Sequence, residues 1–111
     1  KFDYLFVDDF VRILERVIQE KPAETFLNVS RGEAVDLAAS AEKVKREVGA
    51  DVPVLISNAG WGNEYTSDNT RLKTVFSGIT FTPIELSIAK LTAYYRTLTP
   101  SFNSEAFTRD I

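Results

Sequence analysis

The sequence predicts an α/β fold, a small and mostly parallel three-stranded sheet with about four helices. Short apolar runs and amphipathic segments follow one another in the order β-α-β-α-β-α-α, and such alternation favours parallel pairing. A content of 44% hydrophobic and 26% charged residues is typical of a folded globular domain, and 111 residues suffice for one core. We expect residues 1–98 to form this domain and residues 99–111 to form a C-terminal tail.

The first strand and the first helix are predicted in the opening twenty residues. Phe2, Tyr4 and Phe6 alternate with other residues, so they share one face of a strand that covers residues 3–7. Asp8 or Asp9 is then expected to be the N-cap, because a carboxylate there accepts backbone N–H bonds and faces the positive end of the helix dipole. The predicted core stripe of this helix consists of Phe10, Leu14, Val17 and Ile18, with Ile13 beside it.

A second strand and helix are predicted between residues 25 and 49. Residues 25–30 form the strand and residues 31–33 its turn. Asp36 is the expected N-cap of the helix, and Gly49 suits the left-handed position that closes it. The predicted core stripe consists of Leu37, Ala41, Val44 and Val48.

The third strand is predicted at residues 52–56. Pro53 cannot donate a hydrogen bond, so this strand should lie at a sheet edge. A glycine-containing loop at residues 58–63 follows it. Asp68 is then expected to cap a short helix that ends near Gly78.

The strongest local signal predicts the start of the last helix. Thr82 occupies the expected cap position, Pro83 the first helical position, and Glu85 completes a capping box. The predicted inward stripe consists of Ile84, Ile88, Leu91 and Tyr95.

Composition excludes several classes of function. A net charge of −3 and a pI near 4.9 give no basic surface for nucleic acid or an anionic membrane. No apolar run is long enough to span a bilayer, and the start does not resemble a signal peptide, so we expect a cytoplasmic protein. Without cysteine or histidine, the chain has no disulfide, no thiolate nucleophile and none of the commonest metal ligands.

Motif searches predict no catalytic or cofactor-binding residue. The sequence Gly60-Trp61-Gly62 lacks the third glycine of a dinucleotide loop, because Tyr65 stands there. None of the four tyrosines is followed by lysine four residues later, so the Tyr-x-x-x-Lys pair of short-chain dehydrogenases is missing. Glu64-Tyr65 and Asp68-Asn69, beside the glycine loop, are the remaining candidates for ligand contact.

Four segments, in order, resemble the C-terminal part of extended short-chain dehydrogenase/reductases, the NAD-dependent epimerase/dehydratase superfamily. The opening strand and helix start resemble the family motif R-D-Y-x-x-V-x-D, and residues 26–37 resemble its N-V-(G/S)-x-G strand, turn and capped helix. The other two are similar to its D-x-S-K/R helix and to its closing helix. They are residues 68–73 and residues 82–85 with Tyr94-Tyr95.

The resemblance implies that the chain is the substrate-binding part of an NAD(P)-dependent sugar-nucleotide epimerase, dehydratase or reductase, not catalytic by itself. The partner would be an N-terminal nucleotide-binding domain that precedes it in the family and holds NAD or NADP, while this chain binds no cofactor. The substrate would resemble a sugar nucleotide. The residues expected to line its pocket are Phe2, Asn58, Trp61, Asn63 and Tyr65.

Two departures from the family concern the diphosphate of such a substrate. Phe2 stands where the family has an arginine that contacts pyrophosphate, and Asn58 stands at a second arginine position. A pyrophosphate needs charge-assisted, bidentate partners, which a phenyl ring and an amide do not supply. Either the substrate lacks the diphosphate or other groups hold it.

A different class of function also fits the sequence. The aromatic face at Phe2, Tyr4 and Phe6 could dock a protein partner, which would make the chain a small non-enzymatic interaction domain. A homodimer through exposed apolar surface is open as well. Neither alternative involves nucleic acid or a membrane.

Overall fold

The computed structural model describes residues 1–56, 60 and 62–98. Four helices lie in this part of the chain, and α2 packs against α4. Their number agrees with the prediction, while the predicted tail at residues 99–111 lies outside the described residues. The helices are α1 (Val7–Glu20), α2 (Leu37–Val48), α3 (Thr70–Val75) and α4 (Ile84–Thr97).

The prediction of a three-stranded parallel sheet is wrong, because the described residues contain no sheet. Phe2 forms two isolated bridges, one antiparallel to Val35 and one parallel to Tyr65. Residues 25–30 and 52–56 have no regular secondary structure. A strand is stable only when its backbone N–H and C=O groups find a neighbouring strand, and the described part supplies a neighbour only at Phe2.

Helix α1 starts without the predicted carboxylate cap. Phe6 is its N-cap residue and makes no side-chain cap bond, whereas the Asp9 side chain is turned into the protein and only 2% of the residue is exposed. The predicted core stripe is also wrong in part. Ile13 is buried, but Phe10, Leu14 and Ile18 are exposed.

Helix α2 confirms both predicted ends. The Asp36 carboxylate accepts the Ala39 N–H at 2.9 Å, and Gly49 closes the helix in the left-handed conformation with φ of 69°. The predicted core stripe is not buried, since Leu37, Val44 and Val48 are all exposed. Local capping signals therefore determine where this helix lies, but not what covers it.

The starts of α3 and α4 differ from the predictions by small shifts. Asn69 is the N-cap residue of α3, although the Asp68 carboxylate accepts the Thr70 N–H at 2.8 Å. The predicted capping box of α4 is not formed, because Pro83 is its N-cap residue and makes no side-chain bond. The Thr82 side chain instead bonds to α1.

The hydrophobic core is small and lies between α1 and α3. Ile13, Leu72 and Phe76 are each at most 2% exposed and contact one another. The Arg16 guanidinium lies over the Phe76 ring, 4.9 Å from its centroid, and covers the core from outside. The partly buried residues packed around the core are Val17, Leu27, Val29, Val75, Ile79 and Phe81.

Candidate functional site

The Asp9 carboxylate joins the start of α1 to the segment that precedes α4. It accepts the Thr82 backbone N–H at 2.9 Å and the Thr82 hydroxyl at 2.6 Å, and both bonds are buried. The Arg12 guanidinium, one turn along α1, also donates to it. A buried carboxylate is costly unless it is paired and hydrogen-bonded, and here both conditions are met.

A second carboxylate holds the turn that follows residue 30. Asp3 accepts the backbone N–H groups of Arg31 and Gly32 at 3.0 and 2.9 Å. It also accepts the Thr66 hydroxyl at 3.2 Å. Asp3 therefore connects its own segment with two others, the turn at Arg31 and Gly32 and the segment at Thr66.

The same turn is held from its other side by the N-terminal region of α3. Asn69 is buried and donates to the Ser30 carbonyl at 3.0 Å, while the Ser30 hydroxyl donates to the Ser67 carbonyl at 3.3 Å. Gly32 has φ of +76°, and a Cβ atom there would lie 2.7 Å from Asn69 Nδ2. The turn therefore accepts glycine alone without strain.

The structure brings two of the five predicted site residues together. Phe2 and Tyr65 face each other across the parallel bridge, in which the Tyr65 N–H donates to the Lys1 carbonyl and the Asp3 N–H to the Tyr65 carbonyl, each at 3.0 Å. Asn63 is exposed two residues before Tyr65. The predictions for Asn58 and Trp61 fall outside the described residues.

Aromatic rings gather around this bridge. Phe2 is 38% and Tyr65 62% exposed, and the Tyr4 ring centroid lies 6.2 Å from that of Phe2. We call Phe2, Tyr4 and Tyr65 the aromatic surface. All three side chains are more than a third exposed.

A largely apolar cavity of about 340 Å³ lies between residues 4–6, α2 and α4, and Tyr4 lines it as well as belonging to the aromatic surface. Leu37 and Val44 of α2 form one wall, and Ile88 and Leu91 of α4 form another. Arg31 and Asp9 contribute charged groups to its lining.

Two exposed carboxylates have perturbed acidities. Hydrogen bonds from the Thr70 side chain and then from its backbone N–H lower the pKa of Asp68. A hydrogen bond from the Lys43 ammonium, 2.6 Å from Glu85 Oε1, lowers the pKa of Glu85. Both groups are ordinary solvent-facing carboxylates that stay ionised, and neither is suited to be a general acid at neutral pH.

Sequence reasoning missed Asp3 and Arg31, which are central to this part of the protein. Asp3 lies in the predicted first strand and Arg31 in the predicted turn at residues 31–33, and neither position predicts a role at the site. Their contacts join segments 28 to 63 positions apart, and the sequence carries no local signal for such contacts. A polar residue next to an aromatic strand and a Ser-Arg-Gly turn are the features that could have suggested the contact.

The described residues give no sign of a metal site or a membrane span. Within residues 1–56, 60 and 62–98, no group of three or more acidic side chains is arranged to hold a metal ion. In the same part of the chain, none of the helices combines the length and apolar character needed to cross a bilayer.

Comparison of this chain with known proteins identifies no match. No protein-family profile, curated protein or solved structure matches this chain.

Proposed function

We propose that this chain is the substrate-binding part of an NAD(P)-dependent epimerase, dehydratase or reductase that acts on a sugar nucleotide, and that it is not catalytic by itself. One observation carries the proposal: the four segments that resemble the family are joined by hydrogen bonds. Asp3 holds the turn at residues 30–33, and Asn69 holds it from α3. Asp9 and Arg31 each bond to Thr82. These segments therefore support one another in space as well as following one another in sequence.

The aromatic surface supplies the contact that we assign to the substrate. An exposed aromatic ring can stack on a nucleobase or pack against the C–H face of a sugar, and such stacking tolerates different bases. Because Phe2 replaces the family arginine, we expect stacking rather than charge to supply most of the binding energy. Binding should then weaken little with added salt, unlike a contact between arginine and a diphosphate.

In this proposal, a nucleotide-binding domain supplies the cofactor and the catalytic residues. The chain has no histidine, no cysteine and no Tyr-x-x-x-Lys pair. We therefore assign NAD or NADP, and the general base, to that domain. Its surface would cover part of the apolar residues that the described structure leaves exposed.

Saturation-transfer NMR with UDP-glucose as the probe tests the proposal on the 111-residue chain. We expect transfer to the uracil and sugar protons, and loss of most of it in Phe2→Ala and in Tyr65→Ala. Phe26→Ala is the matched control, because Phe26 is an exposed ring outside the aromatic surface. Absence of any UDP-glucose signal, or an equal loss in Phe26→Ala, would contradict the proposal.

A non-enzymatic docking role is the second candidate, and the pairing of Phe2 with Tyr4 favours it. Two adjacent exposed rings resemble the aromatic anchors of protein interfaces. This alternative predicts no transfer to UDP-glucose. It also predicts that a purified protein partner loses affinity in both Phe2→Ala and Tyr4→Ala, whereas Tyr65→Ala has little effect.

A further inference from the structure

The cavity between residues 4–6, α2 and α4 has the properties of a small ligand site. Its volume of about 340 Å³ lies at the lower end of the range that small-molecule pockets occupy, about 300–1,000 Å³. Its walls are aliphatic and aromatic, and they include Phe6, Leu37, Val44 and Ile88. Apolar walls of this kind favour an occupant whose body is apolar.

The Arg31 guanidinium is a positively charged group in the lining of this cavity, and part of its hydrogen-bonding capacity is unused. Its side chain is 18% exposed, Nη1 donates to the Thr82 carbonyl at 3.2 Å, and Nε donates to Glu33 at 3.2 Å. The Nη2 group has no partner within the described part of the chain. Since the Glu33 carboxylate is 70% exposed, solvent screens its pairing with the guanidinium.

The polar side chains of Asp9, Ser40 and Ser87, which also line the cavity, are already engaged in hydrogen bonds. The Asp9 carboxylate is bonded to Arg12 and Thr82. The Ser40 and Ser87 hydroxyls donate to backbone carbonyls one turn earlier in their own helices, at 2.8 and 3.1 Å. The cavity therefore combines apolar walls with one cation that retains free donors.

We propose that this cavity binds a small monocarboxylate with an apolar body, its carboxylate on Arg31 and its body between α2 and α4. The site shares Tyr4 with the aromatic surface but involves neither Phe2 nor Tyr65, and it goes beyond the function proposed above. A guanidinium and a carboxylate form charge-assisted hydrogen bonds that are roughly twice as strong as neutral ones. The cavity volume equals that of about eleven water molecules in the liquid, which suits a medium-chain acid such as octanoate.

Calorimetric titration of the full chain with octanoate, and separately with octanamide, tests the role of the charge. The two probes share an apolar body and differ in the head group, so the protein itself is unchanged between the measurements. We expect saturable binding of octanoate at millimolar concentration, and binding of octanamide about tenfold weaker or more, since the amide has no charge for Arg31. Equal affinities, or no saturable binding of octanoate, would overturn the proposal.

A pair of variants on α2 tests the position of the site. Val44→Phe fills the cavity and should weaken octanoate binding at least tenfold. Val48→Phe is the matched control, because Val48 lies one turn further along and is 39% exposed, against 42% for Val44, but does not line the cavity. Circular dichroism checks that both variants fold. An equal effect of the two substitutions, or no effect of Val44→Phe, would overturn the assignment. Neither outcome would change the expected binding of UDP-glucose at Phe2 and Tyr65.

Discussion

Asp9 is a charged residue in the interior, and its three hydrogen-bond donors explain how it is tolerated there. Replacement by alanine leaves the Thr82 N–H and hydroxyl without their acceptor, and it leaves Arg12 with the Thr80 carbonyl alone. We expect Asp9→Ala to lower the free energy of unfolding by about 3 kcal/mol, measured by urea denaturation. Asp8→Ala, the matched control, removes only an exposed pair with Lys90 and should cost about 0.5 kcal/mol. Similar losses in both variants would contradict this role of Asp9.

Gly32 is the residue at which backbone conformation and packing both demand glycine. Gly32→Ala adds the strain of a positive φ and a contact with Asn69, whose side chain is buried and held by Ser30. We expect a loss of at least about 2 kcal/mol in a thermal or urea denaturation series. Gly49→Ala provides the comparison, because Gly49 also has a positive φ but its Cβ would meet open space, and it should cost about 1 kcal/mol. A smaller loss at position 32 than at position 49 would disprove the packing argument.

The exposed pair of Glu85 with Lys43 makes the stability of the folded state depend on pH. The bond from Lys43 lowers the pKa of Glu85, so the pair stabilises the folded state above the ordinary pKa of the carboxyl group. This stabilisation disappears as the pH falls through the lowered folded-state pKa. NMR titration should show the pKa of Glu85 rising in Lys43→Met, because the ammonium donor is gone. In Lys45→Met, which leaves the pair intact, the Glu85 titration should not move; a shift there would point to general charge effects.

At the scale of elements, the sequence predicts the features that depend on neighbouring residues, such as helix caps, but not those that depend on distant segments, such as strand pairing. The cap at Asp36 and the close at Gly49 could be predicted because both depend on residues within one turn of the helix end. The sequence pattern alone could not establish strands at residues 25–30 and 52–56. A strand exists only where another segment pairs with it, and the pattern does not identify that segment. For the candidate site, the sequence names individual residues but not the contacts between them. Phe2 and Tyr65 do meet, whereas the turn contact of Asp3 and the cavity at Arg31 depend on tertiary packing.

The segment at residues 52–56, predicted as a strand but found without regular structure, can be examined by hydrogen exchange. Its backbone N–H groups have no hydrogen bond within the described part of the chain. We expect the amides of Leu55 and Ile56 to exchange with deuterium almost as fast as in an unstructured peptide, as measured by NMR. The Phe76 amide, which donates to the Leu72 carbonyl at 2.9 Å in the core, is the protected reference. Slow exchange at residues 55 and 56 would show that the predicted third strand forms in solution.

At the scale of the whole molecule, stability is concentrated in a small part of the apolar surface. Leu72 is fully buried, while Leu55 is 85% exposed. We expect Leu72→Ala to lower the free energy of unfolding by about 3 kcal/mol, because it opens a cavity in the core. Leu55→Ala should change it by less than about 0.5 kcal/mol in the same urea denaturation experiment. A large loss at Leu55 would mean that this residue is covered in solution.

The bonds between Asp9 and Thr82 also have a consequence for the order of folding. They join residues 73 positions apart, so they close a long loop whose entropy must be lost before the bonds can form. Contacts of such high sequence separation slow folding, whereas the turns of α1 and α4 form locally and fast. We therefore expect the connection between Asp9 and Thr82 to form after the transition state. Its loss would then accelerate unfolding more than it slows folding, and the connection would set how long a folded molecule persists.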